Sequence, residues 1–363
     1  MIMVFAFFSS VVVEQTEQIR PPKEISVQGL CTISTSPTRI QYVVGLCFSH
    51  NGAFLLAQIA GFGTDLYQVN KNSLRLLSRE EDTNILPHRF SAHHSKPLIA
   101  CIGIEDRAKR VWKYTVQVGK IANRKWEAKY EVYNHVPANR LIWKPAFAFP
   151  PNGKTIAMAI SHVGAIELWP FPHSKGDKPK LLKGHDEGID ALAFSSDSSL
   201  LASVSYDETV RLWSTRTGKQ LARFPIPKGD GYVLDLAFAR DNRTVWIVYN
   251  RIGLKYFRQH DNSIHILRYD IQTKKSQKSE IDSNDCGPTP RVAVLANGCQ
   301  QVITGANKGR CCIWDLKLKK PLKKWTLPSR VRAIHRSLDS KTCILGTWDG
   351  TIQFIRFNQK QQK

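Results

Sequence analysis

Residues 181–214, LLKGHDEGIDALAFSSDSSLLASVSYDETVRLWS, decide the fold of this chain because short apolar runs alternate in them with polar turns. The runs at 189–194, 200–205 and 209–213 have the alternating, β-branched and aromatic pattern of strands. The polar pentapeptide 195–199 separates the first two runs, and Tyr206-Asp207-Glu208 separates the second from the third. The stretch therefore predicts three antiparallel strands joined by tight turns.

The spacing of Gly184-His185, Asp207 and Trp213 resembles one unit of the WD-repeat β-propeller family. The resemblance implies a buried hydrogen-bond relay in which a turn aspartate, a histidine, a strand hydroxyl and a tryptophan N–H are linked. Such a network is stable only when every member is satisfied. One departure is that Ser214 stands where the family usually has an aspartate. The expected relay residues are His185, Ser203, Asp207 and Trp213.

Six further segments align with this unit, which indicates a repeat architecture. Each unit has an anchor residue near the end of its third strand, and successive anchor residues lie 41 to 57 residues apart. Residues 24–34 alternate between polar and apolar side chains and precede the first unit, so they are the expected closing strand beside 351–357. The sequence thus predicts an all-β, seven-bladed propeller of four-stranded antiparallel blades, closed by an N-terminal strand. The units are 42–69, 89–114, 141–171, 181–214, 232–270, 290–316 and 331–357.

One propeller over 24–357 accounts for most of the 363 residues. Residues 1–23 are expected to be a disordered leader and linker, and residues 358–363 a polar tail. The apolar segment 1–13 is too short to span a bilayer, so no membrane span is expected. The eight cysteines form no C-x-x-C pair. They indicate buried thiols in a reducing intracellular compartment, cytoplasmic rather than nuclear, and neither a disulfide framework nor a zinc site.

No enzymatic constellation stands out in the sequence. A Walker A loop, an H-E-x-x-H helix and a G-x-S-x-G elbow do not occur. Gly61-Phe-Gly63 lacks the third glycine of a dinucleotide fingerprint, and the repeat explains His185 as a structural residue. We therefore expect no catalytic site, no metal and no cofactor.

The resemblance also predicts where partners dock. In the family, the loops entering the first strand and the residue before the turn aspartate ring one face of the propeller. Five aromatic residues and two arginines on one ring have the composition of an interface core. Local packing at the strand ends is the alternative for these residues. The predicted contacts are Tyr42, Trp143, His162, Gly188, Asp190, Tyr206, Tyr232, Arg330, Arg332 and Trp348.

A net charge of +22 adds a second possibility, contact with RNA or another polyanion. Between Arg310 and Arg336 there are nine basic residues and one acid. Residues 316–325 are expected to form an outer strand with leucines inward and lysines outward, which is also a common way to protect an edge. The insertion 251–262 interleaves cations with aromatic residues. The candidate polyanion contacts are Arg251, Lys255, Tyr256, Phe257, Arg258, Lys317, Lys319, Lys320, Lys323 and Lys324.

These patterns predict a non-catalytic scaffold that binds protein partners within a multiprotein complex. A basic propeller that binds RNA or a ribonucleoprotein is the first alternative. A substrate receptor of a ubiquitin ligase is the second, because Trp213-Ser-Thr-Arg216 resembles the W-D-x-R signature of such receptors except at Ser214. Because fold alone does not give function, the step from propeller to scaffold is an analogy.

Overall fold

The backbone follows the predicted strand pattern closely in the segment where the repeat is clearest. Among the described residues, every regular element is a β-strand except one 3-10 turn, Asn307–Gly309. The computed structural model describes residues 25–32, 43–49, 51–59, 63–70, 73–80, 85–92, 98–105, 112–122, 125–136, 146–159, 164–172, 174, 176–226, 232–250, 263–282, 292–296, 299–337 and 342–357.

The described strands form seven four-stranded antiparallel sheets. The chain begins with β1 (Ile25–Thr32), which belongs to sheet 7. Sheet 1 contains β2 (Val43–Phe48), β3 (Phe54–Ile59), β4 (Gly63–Val69) and β5 (Leu74–Glu80). Sheet 2 contains β6 (Ile85–Ala92), β7 (Leu98–Glu105), β8 (Trp112–Ala122) and β9 (Lys125–Val136). Sheet 3 contains β10 (Ala146–Ala148), β11 (Thr155–Ala159), β12 (Ile166–Pro170) and β13 (Lys180–Leu182).

Sheet 4 contains β14 (Ile189–Phe194), β15 (Leu200–Ser205), β16 (Thr209–Ser214) and β17 (Gln220–Pro225). Sheet 5 contains β18 (Val233–Phe238), β19 (Thr244–Tyr249), β20 (Ser263–Asp270) and β21 (Lys275–Asp282). Sheet 6 contains β22 (Val292–Ala296), β23 (Gln301–Gly305), β24 (Arg310–Asp315) and β25 (Lys320–Thr326). Sheet 7 is completed by β26 (Val331–Arg336), β27 (Thr342–Thr347) and β28 (Thr351–Phe357).

The sheets stand around a common axis with their first strands innermost. In cyclic order, each of β2, β6, β10, β14, β18, β22 and β26 contacts the first strand of the next sheet, and β26 contacts β2. β1 pairs antiparallel with β28, from Ile25 opposite Phe357 to Thr32 opposite Thr351. The N-terminal strand therefore supplies the fourth strand of the last sheet, as the sequence predicts. The all-β class and the four-stranded antiparallel blades are confirmed.

The hydrophobic core lies between neighbouring sheets rather than at one centre. Each sheet buries both faces against its neighbours, so the inner strands are apolar almost throughout. Between sheets 4 and 5, Leu212 and Phe238 are fully buried, and the rings of Phe224 and Tyr269 stack with centroids 3.8 Å apart. Similar layers join sheets 3 and 4, 5 and 6, 6 and 7, and 7 and 1.

Two predictions about the outer strands have opposite outcomes. The fourth strand that the predicted four-stranded blades require in sheet 2 is present as β9, within residues 113–140, and is confirmed. The expected outer strand over 316–325 is present only from Lys320 onward, as β25, and the expected inward position of its leucines is wrong. Residues 316–319 form a turn, and β25 begins at Lys320. Leu318 and Leu322 are 58% and 40% exposed, because the turn and a register shift at the end of β24 reverse the alternation. The side chains turned toward the sheet are Pro321, Lys323 and Trp325.

Candidate interaction site at the top end

The four relay residues of sheet 4 form a continuous chain of hydrogen bonds. His185 Nδ1 lies 2.8 Å from Asp207 Oδ2, and His185 Nε2 lies 2.8 Å from Ser203 Oγ. Trp213 Nε1 donates to the same Ser203 oxygen at 2.8 Å. A histidine with its proton on Nδ1 donates a hydrogen bond to the carboxylate and accepts one at Nε2 from the serine hydroxyl. Every hydrogen bond of the relay then has one donor and one acceptor. The relay ties the loop before β14 to β15, to the following turn and to β16.

The carboxylate of Asp207 is the electrostatic centre of this network. Burial works to raise its pKa, but hydrogen bonds from Thr209, His185 and the backbone N–H of Asp186 outweigh burial and lower the pKa to about 2. The pKa of His185 is lowered from its ordinary value, because burial disfavours the imidazolium more than Asp207 favours it. The pair therefore holds a neutral histidine beside a charged aspartate at neutral pH. This chemistry is structural, because Ser203 and His185 are buried.

Sheet 6 contains part of the same hydrogen-bond relay, which was not identified from the sequence. Trp314 Nε1 donates to Thr304 Oγ1 at 3.1 Å, in the positions equivalent to Trp213 and Ser203. Asp315 follows that tryptophan, and one of its oxygens accepts from the backbone N–H groups of Lys317 and Leu318 at 2.8 Å each. In sheet 4 the corresponding side-chain oxygen, Ser214 Oγ, accepts one turn N–H, that of Thr217, at 3.2 Å. The aspartate thus caps the turn better than the serine does.

The antiparallel sheets give the structure two distinct ends. We call the end that holds the turns between second and third strands the top end, and the other the bottom end. Three equivalent backbone bonds mark the top end: Tyr206 N to Gly188 O at 2.9 Å, Asn250 N to Tyr232 O at 3.1 Å, and Trp348 N to Arg330 O at 2.9 Å. Each joins the start of the first strand to the following turn. Gly188, Tyr206, Tyr232, Arg330 and Trp348 therefore lie at one end, at the rim of the axis, and their role as partner contacts stays a prediction.

An arginine–tryptophan cluster dominates the top end of sheet 7. The guanidinium carbon of Arg330 lies 3.7 Å from the ring centroid of Trp348, and that of Arg332 lies 4.7 Å from it. Both distances are within the range of cation–π attraction. Arg330 and Trp348 are half-buried, and Arg332 is only 7% exposed. The ring thus holds two planar cations in place at the mouth of the axis.

Asp190 has a different role from the predicted one. It is 1% exposed, and its carboxylate accepts a hydrogen bond at 3.0 Å from the backbone N–H of Val233 in the next sheet. We therefore correct its assignment from a surface contact to a bond between β14 and β18. A charged group in this position can satisfy an N–H of the neighbouring inner strand that no ladder serves.

The same bonding between sheets recurs at residues that were not selected from the sequence. Asp235 of β18 accepts from the backbone N–H of Leu295 in β22 at 2.8 Å. Arg336 of β26 donates to the carbonyl of the same Leu295. The backbone N–H and C=O of this one residue thus link three successive inner strands. Burial raises the pKa of Asp235, although Arg336 and the backbone bonds act against that rise. The signal in the sequence was a charged residue inside an otherwise apolar strand.

Several predicted contacts lie outside the described residues. These are Tyr42, Trp143, His162, and Arg251, Lys255, Tyr256, Phe257 and Arg258 of the insertion. The lysines of the other charged segment are described. Lys317, Lys319 and Lys320 lie at the bottom end, opposite Arg330 and Arg332, while Lys323 and Lys324 lie along β25.

The cysteines only partly follow the prediction of buried thiols. Cys47, Cys299, Cys311 and Cys343 are free and buried, and burial raises the pKa of Cys299 to about 12. Cys312 is instead disulfide-bonded, so the prediction is wrong at that position. Within the described ranges, no group of three or more histidine, cysteine or acidic side chains could hold a metal ion. The described part of the chain also has no helix of the length and apolarity needed to cross a membrane.

Comparison with known proteins agrees with the geometry. The family model for "WD domain, G-beta repeat" matches residues 176–214. Apoptotic protease-activating factor 1 of Danio rerio is 45% identical over 65 residues, which are 18% of this chain and 5% of that protein. Periodic tryptophan protein 2 homolog of Schizosaccharomyces pombe is 29% identical over 120 residues, 33% of this chain and 14% of that protein. WD repeat and SOCS box-containing protein 1 of Homo sapiens is 29% identical over 131 residues, 36% of this chain and 27% of that protein.

The chain therefore matches about a quarter or less of the length of these relatives. Four-stranded antiparallel sheets placed around a shared axis define the molecule as a β-propeller. The relay in sheet 4 and the matched repeat add that the chain is similar over residues 176–214 to the WD-repeat β-propeller family. Members of this family are in general non-catalytic platforms for protein partners.

Proposed function

We propose that this protein is a non-catalytic scaffold that binds a protein partner at its top end, within a multiprotein complex. The platform is a seven-bladed ring whose last blade is completed by β1. The observation that carries the proposal is the cluster of Arg330, Arg332 and Trp348 at the mouth of the axis. An intracellular, cytoplasmic location stays a prediction.

The cluster has the physical properties of an interface hot spot. Tryptophan and arginine dominate the binding energy of protein interfaces when they are ordered and become fully desolvated. The indole of Trp348 already restrains both guanidinium groups, so less side-chain entropy is lost when a partner binds. A partner that buries the exposed part of Trp348 would also strengthen the attraction between the ring and the two cations.

Charge at the top end is distributed unevenly, which would orient the partner. The exposed acidic residues Asp186, Glu187 and Glu208 lie at the top end of sheet 4. The two arginines of the cluster lie at the top end of sheet 7, on a different part of the ring, where they outnumber the one exposed acid of the adjoining turn, Asp349. A partner with acidic groups facing sheet 7 and basic groups facing sheet 4 would match this arrangement, and complementary charges favour encounter and correct orientation.

The test compares two tryptophan substitutions in affinity capture from the native lysate after nuclease treatment. Trp348→Ala removes the cluster. Trp246→Ala is the matched control, because Trp246 is also half-buried and lies beneath a guanidinium, with Arg268 5.9 Å from its centroid, but away from the top end. We expect partners retained by wild type and Trp246→Ala to be reduced at least about tenfold by Trp348→Ala, the loss of one hot-spot side chain.

Equal capture by both variants would refute the top-end proposal. Because the two variants could differ in stability, their melting temperatures are measured alongside. Capture of ubiquitin-ligase subunits through the same cluster would instead identify the chain as a substrate receptor, the alternative that the segment 213–216 suggests.

A further inference from the structure

The bottom ends of sheets 4, 5 and 6 present a concentration of exposed basic side chains. They lie in or directly after the turns between third and fourth strands, at 215–219, 271–274 and 316–319. All of them are exposed. We call the following set the basic arc: Arg216, Lys219, Lys274, Lys275, Lys317, Lys319 and Lys320.

Acidic residues at the same end are engaged in the turns themselves. Each of the four carboxylates in the described turns and adjoining strand ends accepts a backbone N–H at 2.8 to 3.0 Å. One of them also holds Arg243 in an ion pair at 2.9 Å. These carboxylates keep their charge, but the seven exposed cations of the arc outnumber them, so the arc has a net positive charge. These carboxylates belong to Asp197, Asp241, Asp270 and Asp315.

Hydrogen bonds between sheets hold neighbouring bottom-end turns together. Asn242 Oδ1 in sheet 5 accepts from the backbone N–H of Ser196 in sheet 4 at 2.6 Å. Lys180 Nζ in sheet 3 donates to the carbonyl of Arg216 at 2.5 Å. These bonds hold the turns that carry the basic residues of sheet 4, and they connect those turns to sheet 5. The basic arc is curved, because the sheets that carry it follow one another around the axis.

We propose that the basic arc binds the phosphate backbone of single-stranded RNA. Phosphate contacts need only correctly spaced cations and carry no sequence requirement. A single strand can follow a curved rim, whereas a duplex is stiff over the length of a protein. An anionic membrane fits less well, since insertion needs apolar turn tips. Leu318 is exposed in one turn, but the other two turns carry Thr217 and Gln272 at their tips.

This site lies at the end opposite the arginine–tryptophan cluster and goes beyond the proposed scaffold function. A protein partner at the top end and RNA at the bottom end would be held by the same rigid ring. Loss of one site would leave the other intact, so the two proposals can fail separately.

The experiment measures fluorescence anisotropy of a labelled 30-nucleotide polyuridine with the full chain, between 0.05 and 0.4 M salt. The arc variant is Lys275→Glu with Lys317→Glu. The control is Lys183→Glu with Arg310→Glu, two exposed residues nearer the top end with the same change in charge. Each lost contact to a single strand removes about 0.7 from the salt slope. We expect the arc variant to have a slope shallower by about 1.4 and binding about 25-fold weaker at 0.1 M salt. The control should shift much less.

Three results would overturn the proposal. The first is no binding of polyuridine by the wild type at the lowest salt. The second is equal weakening by both variants, which would mean that net charge alone drives binding. The third is preference for a duplex of the same length or for phosphatidylserine vesicles over the single strand, which would identify another occupant. Both variants are expected to retain the melting temperature of the wild type, because all four residues are exposed.

Discussion

Removal of the Asp207 side chain is the most direct test of the relay in sheet 4. The carboxylate accepts from His185 at 2.8 Å, from Thr209 Oγ1 at 2.6 Å and from two backbone N–H groups at 2.9 and 3.1 Å. Asp207→Ala leaves His185, which is 4% exposed, without its carboxylate. An unsatisfied buried group costs about 1–3 kcal/mol, and the lost charge-assisted bonds place the total near the upper limit, at about 3 kcal/mol.

The pKa of Asp207 gives a second estimate of the same quantity. A fall from 3.8 to about 2 corresponds to about 2.5 kcal/mol of stabilisation of the charged form in the folded state. Because the folded pKa is depressed, this stabilisation is present above pH 4 and is lost as the pH falls toward 2. The free-energy difference between wild type and Asp207→Ala should therefore shrink as the pH is lowered from 4 to 2.

Thermal unfolding measures the effect, with Asp186→Ala as the control. The Asp186 side chain is 76% exposed and lies 3.9 Å from Arg211, so its removal should change stability by less than about 0.5 kcal/mol. For a domain of this size, about 3 kcal/mol corresponds to a melting temperature lower by about 4 °C. The role assigned to Asp207 is refuted if Asp207→Ala unfolds at the temperature of Asp186→Ala, or if its stability deficit persists unchanged at pH 2.5.

Two further predictions concern the turn after the relay and a buried histidine. Ser214→Asp should raise the free energy of unfolding by about 0.5–1 kcal/mol in a denaturant titration, because Asp315 makes two bonds in the equivalent place where Ser214 makes one longer bond; an unchanged midpoint would contradict this. Burial, and then Arg336, lower the pKa of His335 to about 3. Only the unfolded chain gains that proton between pH 6.5 and 3, so stability falls as the pH falls. His335→Phe, beside Phe48, should reduce the slope of stability against pH there by up to about 1.4 kcal/mol per unit, and an unaltered slope would show that other groups cause it.

The sequence was sufficient wherever a signal was local in the chain. The three strands of residues 189–214 begin and end within one residue of the predicted bounds, because apolar alternation and turn residues both act over a few positions. The relay was also predictable, since the spacing of His185, Asp207 and Trp213 is a feature of one repeat. The closing strand β1 followed from the requirement that a propeller complete its ring.

Only the tertiary structure decided what depends on neighbouring sheets and on strand register. Asp190 was expected at the surface, but it bonds to Val233 of the next sheet, a contact between residues far apart in the chain. Leu318 and Leu322 are exposed because a turn and a register shift reverse an alternation that looked regular. The sequence also did not show how the charged side chains are grouped. The lysines of 317–320 and the arginines 330 and 332 are close in sequence but lie at the bottom end and the top end of the structure. Periodicity determines the faces of a strand, whereas packing between strands determines which face and which end meet a partner.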